Sequence, residues 1–116
     1  MAAFLIVDED RNFRQALAIG LRLDGHFAFA ASDAEEAAAR LRVVRFDCCV
    51  VDAHLPGADA LLEIAAADGV RAFAMGPYSD LLQAAAARHP RADALVKPFR
   101  ATDLLARIAR AASSAA

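Results

Sequence analysis

The chain has no tryptophan, one tyrosine, one lysine and two cysteines in 116 residues. Each shortage excludes something. Two cysteines side by side, Cys48 and Cys49, cannot make a disulfide framework. Neighbours in a strand point to opposite faces, so both read as small buried hydrophobes. Such usage suits a reducing compartment, and a cytoplasmic protein is expected. No apolar run approaches the length that crosses a bilayer, so no membrane association is expected. The opening Met1-Ala2-Ala3-Phe4 has no basic region ahead of it, which argues against a signal peptide. Basic and acidic residues are interspersed and the net charge is −2. Without a basic face, nucleic-acid binding by phosphate neutralisation is not expected.

What is present points to a folded domain. Hydrophobic residues make up 59% of the chain and charged residues 24%, which rules out a disordered segment. The length fits one domain, residues 1–116, able to bury a core without metal or disulfide. Thirty-two residues are alanine, which favours helix but fills little volume. Twelve of the thirteen basic residues are arginine, leaving Lys97 as the single lysine.

Short apolar runs alternate with longer helical stretches. Phe4-Leu5-Ile6-Val7 is continuously apolar, as in a strand covered on both faces, and ends at Asp8-Glu9-Asp10. Phe13, Leu17 and Leu21 at four-residue spacing predict a helix over 11–23, with Gly25 as its C-terminal cap. Residues 27–30 predict a second strand. Ser32-Asp33-Ala34-Glu35 has capping-box spacing, with Ser32 capping and Glu35 reaching back, and opens a helix to 44. A third strand over 48–51 ends at Asp52. Pro56-Gly57 marks a loop before a helix over 59–67. A strand over 70–75 is broken by Gly76-Pro77, and Ser79 caps a helix to 88. Residues 94–96 form the fifth strand, followed by Lys97-Pro98-Phe99. The last helix covers 102–112, and 113–116 is expected to fray. Five strands alternating with five helices predict an α/β fold, a parallel sheet between helical layers with right-handed crossovers.

In such folds the ligand lies at the carboxyl ends of the strands. Asp8 and Glu9 follow strand one, Asp52 strand three and Lys97 strand five. If strands one and three are neighbours, three carboxylates converge and repel one another. Mg²⁺ relieves that repulsion and keeps coordination sites for water or phosphate. Lys97 adds a mobile positive charge. Acids, a hard cation and one ammonium suit a phosphoryl group, with Asp52 as the nucleophile. Taken singly, an acid after a strand is a helix cap or a solvated residue, the reading given to Asp10 and Asp59.

The joint pattern resembles the receiver domain of two-component response regulators, over essentially the whole chain. Phe4-Leu5-Ile6-Val7-Asp8-Glu9 is similar to the family's first strand and acidic pair. Phe46-Asp47-Cys48-Cys49-Val50-Val51-Asp52 is similar to its phospho-accepting strand, Leu55-Pro56-Gly57-Ala58-Asp59 to the loop beyond it, and Lys97-Pro98-Phe99 to the end of its fifth strand. The resemblance implies a flavodoxin-like (βα)5 three-layer sandwich with strand order 2-1-3-4-5 and a cis peptide before Pro98. It implies that Asp52 takes a phosphoryl group from a sensor histidine kinase or phosphotransfer protein. Asp8, Glu9, Asp52 and the backbone carbonyl of His54 would hold Mg²⁺, with Asp8 acting through water. Lys97 would contact Asp52 at rest and the phosphoryl group afterwards. The chain would be a stand-alone receiver, not an enzyme. It would reach a downstream protein through the helix 4–strand 5–helix 5 face, near Arg88, Arg91 and Arg100. The alanines at 84–87 would allow a homodimer there.

The sequence departs from the family in places. Gly76 stands where a Ser or Thr hydroxyl grips the phosphoryl group, and Ala94 where an aromatic ring rotates. Pro77 offers no N–H. Glu9 is longer than the usual Asp, and Ala60 replaces a frequent Gly. These departures support an alternative, a phosphorylation-independent pseudo-receiver serving as an interaction module. An aspartyl-phosphate phosphatase of the haloacid-dehalogenase type is disfavoured, because His54 stands where its second acid is needed. His54 is either poised over the phosphoryl group or a plain loop histidine. Tyr78 is expected to be half-buried, with shielding of Asp52 or donation of a hydroxyl as the functional option. His26 and His89 lie at helix ends, with no function assigned.

Overall fold

The computed structural model describes residues 1–115, with side chains described through 110. Strand β1 (Ala3–Val7) leads to helix α1 (Arg11–Leu23) and β2 (Phe27–Ala31) to α2 (Ala34–Val43). Then come β3 (Cys48–Asp52), α3 (Ala58–Ala67), β4 (Arg71–Gly76), α4 (Asp80–Arg88), β5 (Ala92–Val96) and α5 (Ala101–Ala115). The strands form one parallel sheet in the order β2-β1-β3-β4-β5. This is the flavodoxin-like arrangement that the resemblance implies.

Alternation along the strands supplies both cores. Leu5, Val7, Cys49, Val51 and Ala74 face α2, α3 and α4, where they meet Leu61, Leu62 and Leu82. Phe4, Ile6, Cys48, Val50, Phe73 and Met75 face α1 and α5, where they meet Leu17, Leu21 and Leu104. Fully burying each large apolar side chain contributes about 1.5–3 kcal/mol. The two cysteines thus lie on opposite faces, unbonded. Burial pushes the Cys49 thiol up to about 12 and that of Cys48 higher still, so neither is a reactive thiolate.

Local chemistry sets the element ends. Asp10 caps α1 through its carboxylate, and Gly25, at φ 88°, ends that helix in the left-handed conformation. The α2 cap lies one residue beyond the expected place. Asp33, not Ser32, accepts from the Glu36 N–H at 2.8 Å, and the Glu36 carboxylate, not that of Glu35, accepts from the Ser32 N–H at 2.9 Å. The sequence holds both registers, since Asp33 and Glu36 repeat the spacing of Ser32 and Glu35, and Asp caps as well as Ser. Helix α5 extends to Ala115, past the expected end at 112. Ala116, the last of the segment expected to fray, lies outside the described residues. His26 ties the amino terminus: its Nδ1 accepts from the Ala2 N–H at 3.0 Å, and its ring packs edge-on to Phe4. Arg88 and His89 both bind Asp59 of α3, and Arg91 reaches the Ala66 carbonyl. Two of the three arginines placed beside the α4–β5–α5 face are therefore turned toward α3. The His89 hydrogen bond, then Arg88, holds the Asp59 carboxyl below its usual range.

Gly57 joins the β3 loop to α3 at φ 87°, and a Cβ there would stand 2.7 Å from that of Ala34. Gly57→Ala therefore meets both left-handed strain and overpacking. It should lose about 2–4 kcal/mol of stability, read from the urea midpoint. A loss below about 0.5 kcal/mol would mean that the α2–α3 contact yields freely.

Candidate functional site

The site is built by three strand ends. Asp8 directly follows β1 and is 1% exposed. Its N–H donates to the Ala31 carbonyl of β2 at 3.1 Å, which fixes its main chain. The turn that follows is tied from within. The Asp10 N–H donates to Asp8 Oδ1 at 2.9 Å, while the Arg14 guanidinium donates to the carbonyls of Asp8 and Glu9, each at 3.2 Å. Asp52 ends β3 with its side chain 13% exposed, and its Oδ1 accepts from the His54 N–H at 2.9 Å. Lys97 follows β5, and its N–H donates to the Gly76 carbonyl at 2.8 Å. The Lys97-Pro98 peptide is cis.

Lys97 reaches back across the strand ends. Its ammonium pairs with Asp8 Oδ2 and stands 4.0 Å from Asp52 Oδ2. It also lies over the Phe13 ring, 4.5 Å from the centroid, and Phe99 meets that ring edge-on. The cation is thus held by two carboxylates and one aromatic face, with its side chain only 18% exposed. A strongly hydrated ammonium leaves water only where its partners are fixed. Here the sheet fixes the acids and α1 fixes the ring.

Asp8, Asp52 and Lys97 come together, and Glu9 does not join them. Its side chain is exposed and makes no hydrogen bond or ion pair among the described residues. No group of three or more His, Cys, Asp or Glu side chains that could hold a metal is present among those residues. The oxygens nevertheless suit Mg²⁺. Asp8 Oδ2 is buried with the Lys97 ammonium as its one partner, Asp52 Oδ2 lies near the same ammonium, and Mg²⁺ commonly takes one or two carboxylates and completes its shell with water and phosphate.

Two residues of this site carry no site signal in the sequence. Phe13 reads only as one apolar position of an amphipathic helix, and nothing in the sequence marks Arg14. Tyr78, expected half-buried, is 75% exposed and donates no hydrogen bond among the described residues. It follows Pro77 in the turn before α4, where no element covers it. Ala94 is partly buried against the α2–α3–α4 core and presents no ring.

Burial raises the Asp8 carboxyl above its ordinary 3.8; Lys97 and the Asp10 N–H oppose the rise without cancelling it. The folded state thus favours protonated Asp8, and this contribution fades as pH rises from 3.8 through the raised value. Asp8→Asn should therefore stabilise the fold at neutral pH. The gain should shrink as acid protonates the wild-type carboxyl. Denaturant midpoints across that range test this, and an Asn variant less stable at neutral pH contradicts it.

Comparison with known proteins bears on these observations. Residues 4–109 match the family described as response regulator receiver domain. The chain is 36% identical over 114 residues to response regulator protein FleR of Pseudomonas aeruginosa, an alignment covering 94% of this chain and 24% of FleR. It spans about a quarter of that relative. The receiver domain protein of Methanospirillum hungatei superposes with TM-score 0.83 at 24% identity, covering 98% of this chain and 95% of the other. Chemotaxis protein CheY4 of Vibrio cholerae superposes with TM-score 0.81 at 24% identity, covering 95% and 98%. At that identity the solved structures establish the fold alone. Among the described residues, no helix is long and apolar enough to cross a membrane. With its family match, its relative and its acid–lysine strand ends, the chain belongs to the response regulator receiver domain family.

Proposed function

We propose that this receiver domain accepts a phosphoryl group on Asp52 from a phosphohistidine of a sensor kinase or phosphotransfer protein in the cytoplasm, as a signalling module rather than a turnover enzyme. The observation that carries this reading is the placement of Lys97, paired with Asp8 and 4.0 Å from Asp52 Oδ2. A lysine needed only for solubility would point outward, whereas this one is drawn into a pocket of acids.

Asp52 Oδ2 would form the O–P bond as the N–P bond of the donor breaks. Its other oxygen stays engaged by the His54 N–H, which fixes the carboxylate plane. Lys97 would shift from Asp52 to the arriving phosphoryl oxygens, guided by its pairing with Asp8. Asp8, Asp52 and the His54 carbonyl are the groups that would hold Mg²⁺, with Glu9 free to join. When bound, the ion supplies charge neutralisation for the transferring group. Leu81 and Val96, large and exposed on α4 and β5, supply apolar contact for a downstream protein.

One observation favours a second reading, a module that binds its partner whatever the state of Asp52. Gly76 has no hydroxyl to move and Ala94 no ring to follow it. A hydrogen bond to a charged group contributes about 1.5–3 kcal/mol, so its loss weakens the coupling between phosphorylation and shape.

Incubation with acetyl phosphate and Mg²⁺, read by intact mass, tests the first reading. The wild type should gain one phosphoryl group, Asp52→Asn should gain none, and Lys97→Ala should load about 100-fold more slowly. An unmodified wild type, or a modified Asn variant, leaves the second reading standing. Omission of Mg²⁺ should suppress loading to the level of the Asn variant.

A further inference from the structure

Position 76 has no side chain, yet the space beside it is filled. A Cβ built on Gly76 would stand 3.1 Å from His54 Nδ1 and 3.2 Å from its Cε1, with Asp52 Oδ1 at 4.0 Å. The imidazole of the β3–α3 loop thus lies where a side chain from β4 would reach. Its Nδ1 is 3.7 Å from Asp52 Oδ1, and its Nε2 is 3.5 Å from Ser79 Oγ. Nδ1 faces the carboxylate from just beyond hydrogen-bond distance, and in the tautomer with its N–H on Nδ1 that N–H is aimed at an acceptor. Nε2 then accepts, and the Ser79 hydroxyl donates to it. Ser79 is the N-cap of α4, and its Oγ accepts from the Leu82 N–H at 3.1 Å. A continuous polar row therefore runs from Asp52 through His54 and Ser79 into the first turn of α4.

We propose that this row takes the place of the absent hydroxyl and aromatic ring, with His54 as the positioning residue that couples the state of Asp52 to the N-terminal cap of α4. The inference rests on the reading of Asp52 as phosphoryl acceptor. A phosphoryl group adds negative charge and acceptor oxygens beside Nδ1–H. The ring turns toward them, and one side of it is open to solvent, which gives it room. Turning about its own axis moves Nε2 relative to Ser79. The hydroxyl must then find another acceptor, and the cap geometry of α4 changes with it.

Amide NMR spectra of the full chain, with and without Mg²⁺ and beryllofluoride, test the coupling, with ¹⁹F signals reporting the loaded fraction. In the wild type, loading should shift the amides of residues 80–83. Ser79 touches neither Asp52 nor its carboxylate neighbours, so Ser79→Ala should still load while its α4 shifts fall several-fold. His54→Ala should show the same fall per loaded molecule, and His54→Gln, which keeps a donor, should recover part of it. Gly76→Ser adds a Cβ in the space of the ring, and should blunt the response despite restoring a hydroxyl. Equal α4 shifts in the wild type, Ser79→Ala and His54→Ala overturn the coupling and leave the role of Asp52 intact. A wild type that takes up neither beryllofluoride nor acetyl phosphate overturns that role, and the coupling with it.

Discussion

The ammonium of Lys97 against the buried carboxylate of Asp8 is the interaction on which the rest depends. A carboxylate at the end of a central strand loses its water, and desolvation is the largest influence on it. Lys97 supplies the compensating charge, but only because β5 reaches the same end of the sheet as β1. Those two strands are not neighbours; β3 and β4 lie between them. A long, unbranched side chain must therefore cross two strand ends, and lysine is long enough to do it. Asp52 lies beside that crossing, which sets the proposed phosphoryl acceptor next to a cation already held in position. The pair that relieves the burial of Asp8 is also what organises the pocket.

Phe13 gives this arrangement its direction. An ammonium near two carboxylates in water would sample many positions, and the ring restricts them. The Phe13 face lies on one side of Lys97 and the acids lie ahead of it. Phe99, two residues beyond Lys97, packs edge-on against the same ring, so the β5–α5 loop and α1 hold the cation jointly. The Arg14 bonds to the carbonyls of Asp8 and Glu9 stiffen the opposite wall. Each contact alone contributes little, and together they leave Lys97 few rotamers.

Much of this was legible in the residues. Continuous apolar runs at 4–7 and 48–51 announced strands buried on both sides, and both are. Acids after the first and third strands and a single lysine after the fifth announced the pocket, because parallel topology brings those ends together. The finer features were hidden for identifiable reasons. The Ser32 and Asp33 registers of the α2 cap differ by one residue with nearly equal cap strength, so local chemistry does not choose between them. Phe13 looked like core because helical periodicity reports which face is buried, not what lies against it. Arg88 and Arg91 turned toward α3 because Asp59 and a helix-end carbonyl offered partners there. Partners so distant in sequence leave no mark on local patterning.

Gly76 shows how far an absence can mislead when it is read one position at a time. As a residue it is a lost hydroxyl. In the fold it is room, and the His54 ring stands in that room with a carboxylate on one nitrogen and a cap hydroxyl on the other. A side chain at 76 would crowd the ring at 3.1 Å, so the two positions constrain each other. The same glycine that weakens the case for a family-type switch leaves the space that the proposed His54 coupling uses. The proposed coupling needs a mobile polar group between Asp52 and α4. Such a group need not come from β4. Here the β3–α3 loop provides one that touches both ends.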